Sequence, residues 1–224
     1  MYWLDQDAPF VVPDDVVDVG YRLDCRCLPL DHAHALARAL CAALPWLRDE
    51  NNAGIHSIHG AASGNGWFRP PDMGSEMLHL PRRTRLYLRL PKERLADAKA
   101  LTGHVMNVHG YSVGVGQLSV RKLSSVTTLF SRYVVAEGTA DETEFTQDIV
   151  EEVGRLGITV KRLVCGLEHT IWTPSKQIPT RSVLLADLSV QDSVRIQERG
   201  IGTWRKLGCG LFVPYKSINA FNTA

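Results

Sequence analysis

A chain of 224 residues with 45% hydrophobic side chains is long enough for one large domain or two small ones around a real core. No apolar run approaches the roughly 20 residues that span a bilayer. The first nineteen residues carry five aspartates and no Lys or Arg, which excludes an ordinary secretory signal and places the expected location in the cytoplasm, with no membrane partner.

The net charge of +1 hides an asymmetry. From Arg155 onward, ten Lys/Arg face four Asp/Glu, whereas fifteen face twenty before it, so the last third is expected to present a basic field to an anionic partner. Five cysteines (Cys25, Cys27, Cys41, Cys165, Cys209) form no CxxC pair. That argues against a disulfide scaffold or a cysteine-based zinc site, and free thiols are expected instead.

In chain order, residues 1–15 read as an acidic tail. Val16 to Leu30 alternates apolar residues with Asp18, Arg22, Asp24 and Arg26, the period of a strand. Asp31 is placed to cap a helix whose Leu36, Leu40, Leu44 and Leu47 repeat at helical spacing, with Pro45 ending its regular part. Asn51 to Gly54 is a turn, and Ile55 to Gly60 a short strand entering a small-residue loop. Met77 to Leu90 reads as one strand, with Leu86, Leu88 and Leu90 on one face and Arg85, Tyr87 and Arg89 on the other. A helix from Lys92 to Thr102 follows, then strands at 104–109 and 112–123. The order is β-α-β-β-α-β.

A second unit repeats that order. Thr127 to Ala136 is a strand, Phe145, Ile149, Val153 and Leu156 mark a helix, and strands at 159–171 and 181–188 flank a hairpin turn at 173–179. Ser189 with Asp192 three residues on suits a helix start, and that helix ends near Arg199. The expected architecture is α+β, two tandem ferredoxin-like units (16–124 and 125–224) with a cleft between them.

Between the last helix and a final strand at 211–215 lies Gly200-Ile201-Gly202-Thr203-Trp204-Arg205-Lys206-Leu207-Gly208-Cys209-Gly210. Two Gly-x-Gly pairs around a Trp, an Arg and a Lys suit close approach to a phosphate chain, or a tight turn. A mononucleotide-binding regulatory domain is the weaker reading, because phosphate loops run from strand to helix and this one runs from helix to strand.

With this order in hand, the glycine run resembles the signature of the repeat-associated RAMP proteins of CRISPR systems, and within them the precursor-RNA processing endoribonucleases (the "Cas six" family). The segments 54–67 and 180–188 are similar to its MYXAN-type subgroup. The resemblance spans 16–220. It implies metal-independent, cofactor-free cleavage of CRISPR repeat RNA, in which a ribose 2′-OH attacks the adjacent phosphodiester and leaves a 2′,3′-cyclic phosphate and a 5′-OH. It also implies retention of the crRNA with other subunits of a type I effector complex, or, as the alternative, a crRNA-binding subunit that does not cut.

Such chemistry needs a base of near-neutral pKa, hence a histidine, with cations or amides for the charge building on phosphate. The resemblance puts the base on or just after the first helix, where His32, His34, His56 and His59 qualify. His59 is favoured, since it falls at the end of a strand before a small-residue loop. His56, three residues earlier, would point to the other face. Two histidines at that spacing with no nearby Cys or carboxylate make a poor zinc set, so no metal is expected. Ser57 and Ser63 suit turns or the scissile phosphate.

Candidate RNA contacts are Arg82, Arg83, Arg85 and Arg89, with Lys92 and Arg94 beyond them, and Tyr87 between Arg85 and Arg89 as a stacking ring. In the second unit they are Lys161, Arg162, Lys176 and Arg181 around the hairpin. The last group is Arg199, Gly200, Gly202, Trp204, Arg205, Lys206, Gly208, Gly210 and Lys216 in or beside the glycine run. A solvated surface explains the same charges equally well.

Overall fold

The computed structural model describes residues 10–59, 77–139 and 141–215. Ser63, Lys216 and most of the 54–67 segment lie outside them. The N-terminal half carries a five-stranded antiparallel sheet, order β3-β5-β1-β7-β6, from β1 (Val16–Asp24), β3 (Gly54–Ile55), β5 (Arg85–Pro91), β6 (Val105–Val108) and β7 (Tyr111–Lys122). Its helices are α1 (Ala33–Ala43) and α2 (Leu95–Lys99). The C-terminal half carries a four-stranded antiparallel sheet, order β11-β8-β10-β9, from β8 (Leu129–Val135), β9 (Arg162–Trp172), β10 (Gln177–Ala186) and β11 (Val213–Pro214). Helices α3 (Glu142–Arg155) and α4 (Val190–Arg199) complete it.

Two expected strands divide. The first ends at Asp24, and the residues after it form a short β2 (Cys27–Pro29), paired with β4 (Met77–His79) in a separate two-stranded sheet. Pro81 turns the chain before β5, with the Thr84 amide bonded to the Pro81 carbonyl at 2.9 Å. Asp31 does not hold the N-cap of α1; His32 does. At α4 the expectation holds: Ser189 Oγ accepts from the Asp192 amide at 3.0 Å and donates to its carboxylate at 2.7 Å. Asp141 caps α3 by accepting from the amides of Thr143 and Glu144.

Apolar alternation builds the cores. Val17, Val19 and Tyr21 of β1 and Leu86, Leu88 and Leu90 of β5 bury against Leu36 and Leu40 of α1. At about 25 cal/mol per Å², each fully buried side chain of this size contributes roughly 1.5–3 kcal/mol. The same cluster takes in Tyr133, Ile171, Ile178, Leu207 and Cys209 from the C-terminal half. One side of the second sheet is therefore seated on the first half. Its other side, with Leu129, Val134, Val183 and Leu185, packs on Phe145, Ile149 and Val153 of α3 and Ile196 of α4.

Candidate functional site

The seam between the halves contains two different chemistries. The first is a network of buried charge. Arg89, on the polar face of β5, is 0% exposed. Its guanidinium grips Asp18 of β1 through Nε and Nη2 (2.9 and 3.1 Å), and its Nη1 donates to the carbonyls of Gln197 and Phe212, each at 2.8 Å. Four donor contacts are made, so Arg89 is a strut between the halves and does not reach solvent to meet RNA. Period two does put it on the face of Arg85 and Tyr87, but α4 and Phe212 cover that face at Arg89. Asp18 also takes Arg121 on Oδ2 at 3.1 Å and His56 Nε2 on Oδ1 at 3.3 Å. Burial opposes its charge, yet Arg89 and His56 hold the carboxyl well below the usual carboxylate range.

The glycine run belongs to this network. Arg205 donates to the carbonyls of Arg199, Glu198 and Asn52, and Lys206 to those of Glu50 (2.6 Å) and Ala53 (2.8 Å). The carbonyls of Gln197, Glu198 and Arg199 form the last turn of α4, which has no intrahelical partners for them. Arg89 and Arg205 thus cap the negative end of a helix, where cations are favoured. Burial first, then nearby Arg89, lowers Arg205 to about 10. Both expected phosphate ligands in the run, Arg205 and Lys206, are occupied by backbone oxygen. They clamp the run onto residues 50–53 of the other half.

Three of the four glycines serve the clamp. The Ile201 amide bonds the Gly210 carbonyl at 3.2 Å, closing the run on itself. Gly210 has φ 67°, and a Cβ there would strike the Ile201 carbonyl. Gly200 would strike Arg205 and the Gly210 carbonyl, and Gly208 would strike Ser57 of the other half. Gly202 alone opens on space and is exposed. Beside it Trp204 is 40% exposed in a left-handed conformation, with Lys176 Nζ 4.9 Å from its ring centre.

The four candidate histidines separate. His32 is buried; Nδ1 lies 2.9 Å from the Pro29 carbonyl and Nε2 accepts from the Ile58 amide at 3.3 Å. Those two contacts require a neutral ring protonated on Nδ1 and make His32 the anchor of the 56–59 segment. His56 turns inward to Asp18, and burial lowers its pKa despite that carboxylate. His34 is half-buried on α1, its pKa lowered by burial, then by Arg38 and His109. His59 is exposed, its ring centre 6.5 Å from that of Tyr133 on β8. Tyr133 also meets His169 of β9 edge to face, 5.6 Å between centres. His59, Tyr133 and His169 form the second chemistry of the seam, a cluster of rings contributed by both halves.

The other predicted cations are spread. Arg82 and Arg83 are exposed in the turn before β5, and Arg82 shares a groove of about 540 Å³ with Arg22 and Arg26. Arg85 donates to Ser119 Oγ at 3.2 Å. Lys92 pairs with Asp14, and Arg94 with Glu50 and Asp97. Lys161 is exposed before β9, Arg162 pairs with Asp187 at 2.9 Å, and Lys176 pairs with Glu137 at 2.8 Å. Arg181 lies between Glu168 and Glu142, mostly covered. Arg199 is exposed beside a groove at the seam that Asp15, Asn52 and Glu198 also line.

Asp18, Arg121, Tyr133 and His169 escaped the sequence reading. A charged residue inside an apolar strand was the signal for Asp18. Shared parity with Ile171 was the signal for His169 facing the seam.

A family model described as Cas6 Crispr matches residues 17–217. The chain is 30% identical over 198 residues to "CRISPR-associated endonuclease Cas6" of Myxococcus xanthus (strain DK1622), covering 88% of this chain and 81% of that protein. Its fold is similar to that of a solved structure described as "Characterization of a Cas6-related gene from Pyrococcus furiosus", with a TM-score of 0.61 at 13% identity over 90% of this chain and 99% of the other. It is also similar to "An RAMP protein binding different RNA substrates", with a TM-score of 0.58 at 15% identity over 89% and 100% of the two chains.

Proposed function

The chain belongs to the Cas6 CRISPR family, and from that premise we propose that it is an endoribonuclease that cuts CRISPR repeat transcripts into crRNA. The name of the Myxococcus xanthus relative supports the reaction class. The observation that carries the assignment to a site is the placement of His59: exposed, anchored through Ile58 and His32, and beside Tyr133 of the other half. His59 takes the proton of a ribose 2′-OH. The 2′-oxygen attacks the adjacent phosphorus, the P–O5′ bond breaks, and a 2′,3′-cyclic phosphate and a 5′-OH result. No metal or cofactor takes part. His56 is a weaker base because burial lowers its pKa despite Asp18, and its Nε2 is engaged by that carboxylate.

The RNA backbone runs over exposed Lys161, Arg162, Lys176 and Arg199 and past Gly202 and Trp204, where a base stacks. Arg82, Arg83 and Arg85 extend that path on the N-terminal half. Strand orders β3-β5-β1-β7 and β9-β10-β8-β11, each with helices after its first and third strands, support two tandem ferredoxin-like units divided near residue 124. The crRNA stays bound, and other subunits of a type I complex assemble on it.

Incubating the protein with its repeat RNA in EDTA, and with the same RNA carrying a 2′-deoxy at the cut site, tests this. Cutting persists in EDTA and stops on the deoxy substrate. Cutting that requires a divalent metal, or that survives the deoxy change, contradicts the mechanism; tight binding without cutting would favour a crRNA-holding subunit.

A further inference from the structure

We infer that His169 is a second catalytic residue, the general acid that protonates the departing 5′-oxygen; this rests on the endoribonuclease reading above. The 2′-OH attack needs two proton transfers. One removes the 2′ proton, and one supplies a proton to an alkoxide that is otherwise a very poor leaving group. Proton transfer by a positioned side chain contributes roughly 10²- to 10⁴-fold to such a step. His59 accounts for the first transfer only.

His169 has the position for the second. It lies on β9, and Thr180 of β10 donates to its backbone carbonyl at 3.0 Å, fixing the strand beneath it. Its half-buried imidazole sets its edge to the ring of Tyr133, 5.6 Å between centres, at 81°. Tyr133 in turn meets His59 at 6.5 Å. The two centre distances bound the separation of the imidazoles by their sum. Tyr133 is 9% exposed and belongs to the shared core, so it is a fixed ring that both histidines neighbour. One imidazole comes from each half, and the scissile phosphodiester is inferred to sit beside Tyr133, within reach of both. In the step, the 2′-OH proton passes to neutral His59 as the 2′-O–P bond forms. Protonated His169 gives its proton to O5′ as the P–O5′ bond breaks. One proton is taken up and one is released, and no oxidant or further reactant is needed.

The test uses repeat RNA in which the scissile 5′-oxygen is replaced by sulfur, since a thiolate leaves without protonation. His169→Ala is expected to slow the oxygen substrate 10²-fold or more, with affinity and melting temperature unchanged, and to cut the sulfur substrate within a few-fold of the wild-type rate. His59→Ala is expected to be slow on both. The wild-type pH–rate profile is bell-shaped on oxygen, and His169→Ala loses the alkaline limb, where the acid is deprotonated. Equal slowing of His169→Ala on both substrates, a wild-type rate on oxygen, or rescue of His59→Ala in its place would overturn the assignment. His169→Gln carries the same readouts where the alanine variant melts early. A wild-type protein that leaves the oxygen substrate uncut defeats the endoribonuclease reading and with it this assignment, whereas the outcomes above defeat the assignment alone.

Discussion

His56 and His59 are three residues apart, yet they serve two regions of one seam that differ in almost every physical respect. The strut network around Arg89 is buried and saturated: carboxylate, guanidinium and backbone carbonyls neutralise one another. In the ring cluster of His59, Tyr133 and His169, His59 is exposed and His169 half-buried. A positive charge in the first region holds the two halves in register. In the second, the proposed base His59 is held through the Ile58 amide bonded to His32. Basic residues near a glycine run are therefore poor evidence of a phosphate site until their acceptors are known.

The largest expected effect comes from breaking the strut. Arg89→Ala leaves Asp18 buried without its main partner and uncaps two carbonyls, which costs about 3–5 kcal/mol. Chemical denaturation should show that loss, and a loss under 1 kcal/mol would mean the seam is held by its apolar contacts alone. Next, Gly210→Ala puts a Cβ on the Ile201 carbonyl at a left-handed φ. It should cost about 1–3 kcal/mol. Gly202→Ala, with the same sign of φ but open space, should cost about 1 kcal/mol. Equal melting temperatures for the two would remove the distinction between clamp glycines and the open one.

A third comparison uses salt. Replacing Lys161 with alanine should lower the slope of log affinity against log salt by about one, the signature of a phosphate contact. Arg205→Ala and Lys206→Ala should leave that slope unchanged while lowering stability. A drop in slope for either clamp cation would return it to the RNA surface. The smallest effect is pH-dependent. Burial lowers His56 from its ordinary 6.5, so the unfolded chain takes up the proton more readily. Its contribution to stability is present above pH 6.5 and is lost as pH falls below it. His34 shifts in the same direction. His56→Gln should flatten, without abolishing, the acid-side decline in melting temperature; a steeper decline would reverse the sign.

The fold was largely legible because it is written in local periodicity. Alternation placed Val17, Val19, Leu86 and Leu88, and the Ser189 and Asp192 pair marked the start of α4. Strand division was not legible, since the turn at Pro81 and the separate pairing of Cys27–Pro29 with Met77–His79 depend on distant partners. The site was legible only in its half of the seam. His59 could be singled out from an expected strand end, although β3 stops at Ile55, but Tyr133 and His169 meet it by tertiary packing about 70 and 110 residues further along. Arg89 and Arg205 misled for the same reason: sequence shows a charge, while the carbonyls of Gln197, Glu198 and Phe212 that receive it appear only once α4 docks.

In the proposed mechanism His59, exposed beside Tyr133, is the base that starts the cut. The measurement is the single-turnover cleavage rate of His59→Ala on repeat RNA in EDTA, taken with its RNA affinity and melting temperature. A loss of roughly 10²- to 10⁴-fold in rate is expected, with the other two unchanged. Cleavage at the wild-type rate would contradict it and return the role to His56 or His34.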